Sequence, residues 1–231
     1  MIGSIVSPEL RARIRGFATP IAVGFGRVGL TPNHLTLIGF GIALVAAVAA
    51  DQQAWIAAAV LLIVGGVFDL FDGALARATG QASRVGAFMD SVFDRAGEGV
   101  VYIGIVAGCL AADFRAGELL AAMAMASAFM VSYVRAKSES LGFTPGTRMA
   151  AVGLAPREVR IVILTVGLLL AGALGGVAYV DPGTLSLYLS LSDAWTGGRP
   201  VLAIALGLIT ILAFITTVQR IVHVIRQSPT E

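Results

Sequence analysis

The sequence predicts an all-α integral membrane protein, with six transmembrane helices preceded by an amphipathic helix at the membrane interface. Two observations support this fold class: the composition and the spacing of the apolar segments. Of the 231 residues, 57% are hydrophobic and 13% are charged, and the mean hydropathy is +0.88. A water-soluble domain carries about 25% charged residues, so the composition excludes an ordinary soluble domain.

Six apolar segments are long enough to cross the hydrocarbon core of a bilayer, which takes about 20 residues of α-helix. They lie at 34–50, 53–71, 93–112, 117–135, 159–180 and 200–219. Lipid offers no partner to backbone N–H and C=O groups, so each segment is expected to be helical. The 28 glycines of the chain suit close packing between such helices.

The first 30 residues differ from a cleavable signal peptide. Four arginines lie among apolar residues, and Pro20 is expected to kink any helix there. A signal peptide places a basic stretch first, then one apolar core and a small-residue cleavage site. An amphipathic helix on the anionic membrane surface fits better, and a disordered basic tail is the alternative. The predicted organisation is an N-terminal amphipathic juxtamembrane segment at 1–30, a membrane domain at 31–226 and a C-terminal tail at 227–231.

The distribution of lysine and arginine predicts the orientation of the helices. Of the sixteen Lys and Arg residues, only Arg115 and Arg199 fall in the loops on one side. The others lie at the two termini or in the loops near 77–95 and 135–160. Basic residues are concentrated on the cytoplasmic side of membrane proteins, so both termini are expected to be cytoplasmic.

Four aspartates stand at the predicted cytoplasmic ends of the second and third helices. Asp69 and Asp72 are three residues apart, and Asp90 and Asp94 are four apart, so each pair lies on one helix face. The short connection between the two helices predicts antiparallel neighbours whose carboxylate pairs face each other. Carboxylates favour Mg²⁺ or Mn²⁺, and two bridged divalent ions stabilise attacking and leaving oxygens in phosphoryl chemistry. The spacing therefore predicts a site for divalent cations.

The aspartates could also have one of two roles other than metal binding. In the first they pair with Arg77, Arg84 and Arg95 at the membrane surface, but surface pairs contribute little and do not explain the matched spacing. In the second the chain transports cations or protons, because carboxylates within a membrane often line ion pathways. All four aspartates cluster at one edge, and the outer halves of the helices offer no charged relay, which disfavours transport.

The acidic stretch resembles the signature of the CDP-alcohol phosphotransferases, also called CDP-alcohol phosphatidyltransferases. The matching pattern is Asp69-x-x-Asp72-Gly73-x-x-Ala76-Arg77-x₈-Gly86-x₃-Asp90-x₃-Asp94. The resemblance implies a six-helix membrane enzyme, a homodimer in the lipid membrane with no nucleic-acid partner. It also implies transfer of a phosphatidyl-type group from a CDP-linked lipid to an alcohol, with release of CMP.

The resemblance also implies a role for each matched position. Asp69, Asp72 and Asp90 are expected to hold two Mg²⁺ ions, for which Mn²⁺ can substitute, and Asp94 is expected to be both a ligand and the general base. The residues expected around the CDP group of CDP-diacylglycerol or CDP-archaeol are Asn33, His34, Leu35, Thr36, Asp69, Gly73, Ala76, Arg77, Ser83 and Gly86. No Ser, Cys or His is placed as a covalent nucleophile, so direct displacement is the expected route.

Three later segments resemble the bacterial and archaeal members of the family that take inositol 1-phosphate. They are "SYVRAKSESLG" at 132–142, "APREVRIVIL" at 155–164 and "TTVQRIV" at 216–222. The resemblance implies an acceptor-phosphate pocket lined by Arg135, Lys137, Arg157, Arg160 and Arg220. The chain departs from the usual pattern at Lys137, Pro156 and Val159. Glycerol 3-phosphate is the alternative acceptor, and anchoring to anionic headgroups is the alternative role of the arginines.

Overall fold

The computed structural model describes residues 8–143, 152–177 and 197–227, and every regular element in these ranges is an α-helix. The helices are α1 Pro8–Arg27, α2 Pro32–Asp51, α3 Trp55–Ala78, α4 Arg84–Ala111, α5 Arg115–Ser140, α6 Arg157–Ala173 and α7 Arg199–Gln227. The predicted all-α class is confirmed. The acidic stretch extends α3 to Ala78 and begins α4 at Arg84, beyond the predicted apolar segments.

Four of these helices, α2, α3, α5 and α7, are long and apolar enough to cross a membrane. Two other helices, α4 and α6, coincide with predicted spans but are not long and apolar enough, for separate reasons. Asp94, Arg95 and Glu98 interrupt the apolar part of α4. At 17 residues, α6 is close to the lower limit for crossing the hydrocarbon core, and the end of the predicted span at 159–180 lies outside the described residues.

The arrangement of α2, α3 and α4 differs from the predicted pairing. Both α3 and α4 pack along α2, and α3 also packs on α6, whereas in the described part of the chain α3 and α4 do not pack extensively on each other. They are therefore not the direct neighbours that their short connection suggests. The two carboxylate-bearing helices flank a cavity and share α2 as a common support.

Small residues allow α2 and α4 to approach closely. A Cβ atom added to Gly104 would overlap the Ala47 carbonyl, and one added to Gly108 would overlap the Ala50 carbonyl. Backbone contact at glycine is typical of helix packing in lipid, where van der Waals contact replaces the hydrophobic driving force. The prediction of close, glycine-dependent packing is therefore confirmed.

Two apolar clusters lie inside the bundle. The larger one is built from side chains of all six helices from α2 to α7. It includes the fully buried side chains of Ile105, Leu168 and Leu206. The smaller one lies where α1 packs against α3 at the end of the bundle that carries the aspartates. Since α1 continues through Pro20, the proline does not end this helix.

At the opposite end of the bundle, the buried side chain of Arg199 ties three helices together. Its Nε donates to the Val177 carbonyl at 3.0 Å, and its Nη2 donates to the Ala112 carbonyl at 2.8 Å. The guanidinium also lies 5.3 Å from the centre of the Phe114 ring. This arginine satisfies the carbonyl of the C-cap residue of α4 and a carbonyl in the segment that follows α6.

Candidate active site at the aspartate end of the bundle

The four aspartates form one electrostatic cluster at the ends of α3 and α4. Asp69 and Asp94 line the cavity, Asp72 is buried, and Asp90 is half-buried. Asp69 lies close enough to each of the other three carboxylates for the charges to repel. The structure therefore brings together the four residues that the spacing argument grouped.

The positive charge between these carboxylates comes from Arg157, the first residue of α6. Its Nη1 atom lies 2.9 Å from Asp69 Oδ2 and 2.9 Å from Asp94 Oδ1. Arg95 is a weaker partner, because its Nη1 lies 3.6 Å from Asp94 Oδ2. Within the described residues, the buried Nε of Arg157 has no hydrogen-bond partner. The predicted acceptor-phosphate residue Arg157 thus lies directly beside the predicted metal ligands.

Asp72 is held by a hydroxyl from α2. The Thr36 hydroxyl lies 2.7 Å from Asp72 Oδ2 and 3.2 Å from the Pro32 carbonyl oxygen. Its single proton is best donated to the closer, charged acceptor. Thr36 was expected to contact the CDP group, and in the structure its hydroxyl orients a carboxylate.

Gly39, one turn along α2 from Thr36, is a site residue that sequence reasoning missed. A Cβ atom at this position would lie 3.2 Å from Asp69 Oδ1 and 3.6 Å from the Phe68 side chain. Such a contact is tight, so glycine leaves the space that the Asp69 carboxylate occupies. The three-residue spacing from Thr36 was a usable signal, because it places both positions on one face of α2.

The donor chemistry of the aspartate cluster fits a hard divalent cation, since four carboxylates lie together while Arg157 and Arg95 pair with two of them, Asp69 and Asp94. In the described residues, no three His, Cys, Asp or Glu side chains are gathered closely enough to hold a metal ion. Asp69 and Asp94 are instead arranged around the guanidinium of Arg157. The residues therefore match the charge and hardness of Mg²⁺ or Mn²⁺, with the carboxylates spread around an arginine.

The beginnings of α2 and α4 meet beside this cluster. Ser83 caps α4 by accepting a hydrogen bond from the Gly86 amide at 3.0 Å. A Cβ atom at Gly86 would lie 3.1 Å from Ser83 Oγ and 3.5 Å from Asn33 Oδ1. Three of the residues expected around the CDP group, Asn33, Ser83 and Gly86, are therefore adjacent.

The other residues expected around CDP serve different local roles. His34 completes the capping box of α2: its Nδ1 accepts from the Thr31 amide at 3.3 Å, and its own amide donates to Thr31 Oγ1 at 3.3 Å. The exposed Arg77 folds back toward Gly73, where an added Cβ would lie 3.1 Å from Nη1, and Ala76 is half-buried. The side chain of Leu35, also expected around CDP, is 0% exposed in the smaller apolar cluster.

Arg160 also departs from its expected role. Its Nε and Nη2 bind Glu98 Oε1 and Oε2 at 2.8 and 2.7 Å, and its Nη1 donates to the Ala155 carbonyl at 2.9 Å. The Arg160 side chain is 1% exposed. All three guanidinium nitrogens of Arg160 are thus engaged with protein acceptors. Glu98, its partner, lines the cavity and was not singled out by the sequence argument.

The remaining predicted acceptor residues, Arg135, Lys137 and Arg220, differ in burial and in their partners. Arg220 is buried and donates to the carbonyls of Val152 at 3.0 Å and Val131 at 2.7 Å. Arg135 pairs with Glu139 at 2.9 Å, and both side chains are more than a third exposed. Arg135 lies within electrostatic range of Arg220, and Lys137 is exposed in the last turn of α5.

The cavity beneath the aspartates changes from polar to apolar along its length. Its polar end includes Asp69, Asp94, Glu98 and Arg157. Its apolar lining includes Phe40, Leu61, Leu62, Val101, Ile161 and Leu164, from α2, α3, α4 and α6. The lining thus combines charged side chains at one end with apolar side chains toward the interior of the bundle.

Comparison with known proteins agrees with this geometry. Residues 29–227 match the family described as CDP-alcohol phosphatidyltransferase. The archaetidylinositol phosphate synthase of Methanothermobacter thermautotrophicus is 34% identical over 216 residues, which cover 94% of this chain and 92% of that protein. The phosphatidylinositol phosphate synthase of Streptomyces avermitilis is 32% identical over 229 residues, which cover 97% of this chain and 84% of that protein.

Solved structures of the Mycobacterium tuberculosis phosphatidylinositol phosphate synthase are similar in fold at 26% identity. The structure with CDP-DAG bound has a TM-score of 0.72 and covers 90% of this chain and 92% of that one. The structure in complex with manganese and citrate also has a TM-score of 0.72, covering 90% and 88%. The chain is therefore a membrane enzyme of phospholipid synthesis that belongs to the CDP-alcohol phosphatidyltransferase family.

Proposed function

We propose that this enzyme transfers the phosphatidyl group of CDP-diacylglycerol, or of its ether analogue CDP-archaeol, to inositol 1-phosphate and releases CMP. The observation that carries the proposal is the contact of Arg157 with Asp69 and Asp94 at the polar end of a largely apolar cavity. A cation suited to an acceptor phosphate thus lies beside carboxylates suited to hold the divalent ions that would bind the donor pyrophosphate. The two named relatives, both synthases of inositol phosphate lipids, support this acceptor.

Asp69, Asp72, Asp90 and Asp94 are the proposed ligands of two divalent ions, Mg²⁺ or Mn²⁺. The manganese complex of the Mycobacterium tuberculosis enzyme supports a divalent metal. Bound ions neutralise a pyrophosphate and stabilise CMP as a leaving group. In this chain, Thr36 fixes one oxygen of Asp72 by its 2.7 Å hydrogen bond.

Asp94 is the proposed general base, because it lines the cavity and contacts the arginine that we assign to the acceptor. A carboxylate there can accept the proton of the acceptor hydroxyl as its oxygen attacks phosphorus. Arg157 would hold the acceptor phosphate by charge-assisted hydrogen bonds, and Arg135, Lys137 and Arg220 would add positive charge. The residues proposed to surround the CDP group are Asn33, His34, Thr36, Asp69, Gly73, Ala76, Arg77, Ser83 and Gly86.

The proposed membrane arrangement follows the charge distribution. We propose that α2 to α7 all span the bilayer, with α1 at the interface and with both termini and the active site on the cytoplasmic side. Residues 31–226 then form one membrane domain, which assembles as a homodimer. Cysteine accessibility tests this topology: a maleimide too polar to cross the membrane should label introduced cysteines at the aspartate end only after the membrane is opened.

An acceptor screen tests the function. The purified protein is incubated with CDP-diacylglycerol, Mg²⁺ and inositol 1-phosphate, glycerol 3-phosphate, free inositol or no acceptor, while CMP and lipid product are measured. We expect CMP release with inositol 1-phosphate, loss of activity in EDTA, and recovery with Mg²⁺ or Mn²⁺. Release with glycerol 3-phosphate but not with inositol 1-phosphate would show that the acceptor assignment is wrong. A parallel reaction with CDP-archaeol identifies the preferred donor.

Two further measurements separate the alternatives. The Asp94→Asn variant should bind donor lipid yet lose turnover, and a wild-type rate would show that Asp94 is not the base.

Proteoliposomes containing the enzyme should maintain an imposed cation gradient while consuming CDP-lipid. Cation flux without CMP formation would favour a transporter.

A further inference from the structure

Two charged contacts, one helical turn apart, join α4 to α6. The outer pair is Asp94 with Arg157, at 2.9 Å. The inner pair is Glu98 with Arg160, joined by two parallel hydrogen bonds of 2.8 and 2.7 Å. Residues 94 and 98 share one face of α4, and residues 157 and 160 share one face of α6, so both pairs can form at once.

The two pairs differ in burial. The side chains of Arg160 and Glu98 are 1% and 8% exposed, whereas those of Arg157 and Asp94 are 26% and 16% exposed. Every guanidinium nitrogen of Arg160 also has a protein acceptor. The Arg160 guanidinium is therefore buried and satisfied by protein acceptors, while Glu98, Asp94 and Arg157 line the cavity.

The inner pair also stabilises the segment that leads into α6. Arg160 binds the carbonyl of Ala155, and the amides of Leu154 and Ala155 both donate to Thr216 Oγ1 on α7, at 3.0 and 2.9 Å. Arg157 follows this segment directly and begins α6. The orientation of its guanidinium therefore depends on how the first turn of α6 is held.

We propose that Glu98 is a positioning residue for phosphatidyl transfer. By holding Arg160 it fixes the register and rotation of α6, and so keeps Arg157 facing Asp69 and Asp94. A buried, fork-shaped ion pair is directional, because its two parallel hydrogen bonds fix the orientation of the guanidinium. The inference rests on the proposed function for what Arg157 binds, and it assigns Arg160 to helix positioning instead of phosphate binding.

The test compares Glu98→Gln with the double variant Glu98→Met/Arg160→Met in the full-length enzyme. Glu98→Gln leaves Arg160 buried without its counter-charge, so the unfolding temperature should fall by about 6 °C or more. The acceptor KM should rise by about tenfold, which corresponds to the loss of one well-aligned charge-assisted contact. The donor KM should change by less than about twofold. The double variant removes both charges and should recover most of the lost stability, yet its acceptor KM should stay raised.

The pattern of stability and KM decides the inference. An unchanged acceptor KM in Glu98→Gln would overturn it, and so would recovery of both stability and acceptor KM in the double variant, because the pair would then be structural only. If the double variant does not fold, the KM values of Glu98→Gln decide alone. Arg199→Met is the matched control: it removes a buried arginine at the opposite end of the bundle, so it should lower stability without raising the acceptor KM.

Failure of the proposed function is visible separately, in the wild-type enzyme. If inositol 1-phosphate does not support CMP release, the KM comparison is made with the acceptor that does. The positioning inference is then decided by the same two outcomes, measured with that acceptor.

Discussion

Replacing Arg157 with alanine should destabilise the enzyme in the absence of divalent cations, and added Mg²⁺ should restore most of the loss. The guanidinium bridges Asp69 of α3 and Asp94 of α4, and its removal leaves two neighbouring carboxylates without that counter-charge. A bound divalent cation supplies the missing positive charge. The variant should therefore gain more stability from Mg²⁺ than the wild type does, because arginine no longer competes for the same oxygens.

The geometry sets the size of the effect. Each contact is 2.9 Å long, and the three side chains are 16% to 26% exposed. A hydrogen bond to a charged group contributes about 1.5–3 kcal/mol, and partial exposure and a shared donor nitrogen reduce the sum of two to about 2–3 kcal/mol. For a chain of this size the loss corresponds to about 4–12 °C in unfolding temperature.

Thermal unfolding of the purified protein, followed by intrinsic fluorescence in EDTA and in Mg²⁺, measures this effect. Arg135→Ala is the control, because its pair with Glu139 is also 2.9 Å long but the side chains are 38% and 35% exposed. Its removal should cost about 0.5 kcal/mol or less. Equal losses for Arg157→Ala and Arg135→Ala, or equal stabilisation of wild type and Arg157→Ala by Mg²⁺, would refute the reasoning.

Two further variants test contacts around α2. Thr36→Val keeps the side-chain shape but removes the hydrogen bond to Asp72, so the rate of CMP release should fall by about tenfold. If Thr36→Val released CMP at the wild-type rate at every Mg²⁺ concentration, the hydrogen bond to Asp72 would have no role in catalysis. Gly104→Ala forces a methyl group against the Ala47 carbonyl and should lower the unfolding temperature by several degrees, while Gly41→Ala, with open space around it, should not. Equal unfolding temperatures for the two glycine variants would contradict this packing.

The helices and the aspartate cluster could be predicted from the sequence because both depend on local spacing. Apolar length predicts a helix in lipid, and intervals of three and four residues place Asp69 with Asp72 and Asp90 with Asp94. A motif does not say what each of its residues contacts. Leu35 belongs to a segment that resembles a binding signature, yet its side chain packs in the apolar cluster between α1 and α3.

The pairing of the arginines could not be predicted in this way. Arg157 and Arg160 are both basic, three residues apart and part of one motif, yet one faces the cavity and the other is closed by Glu98. Glu98 lies 62 positions away from Arg160 in the chain. Similarly, α3 and α4 are adjacent in sequence, but each packs on α2. Contacts between distant segments decide both outcomes, and no local pattern encodes them.

The glycine contacts between α2 and α4 reverse a rule familiar from water-soluble proteins. In water, a larger apolar side chain inside the core adds stability if space permits, because it removes more surface from solvent. In the proposed membrane arrangement the alternative environment is hydrocarbon, and the Gly104 and Gly108 positions meet backbone carbonyls directly. Shape alone therefore selects these residues, and random substitution at this seam should favour the smallest side chain over the most hydrophobic one.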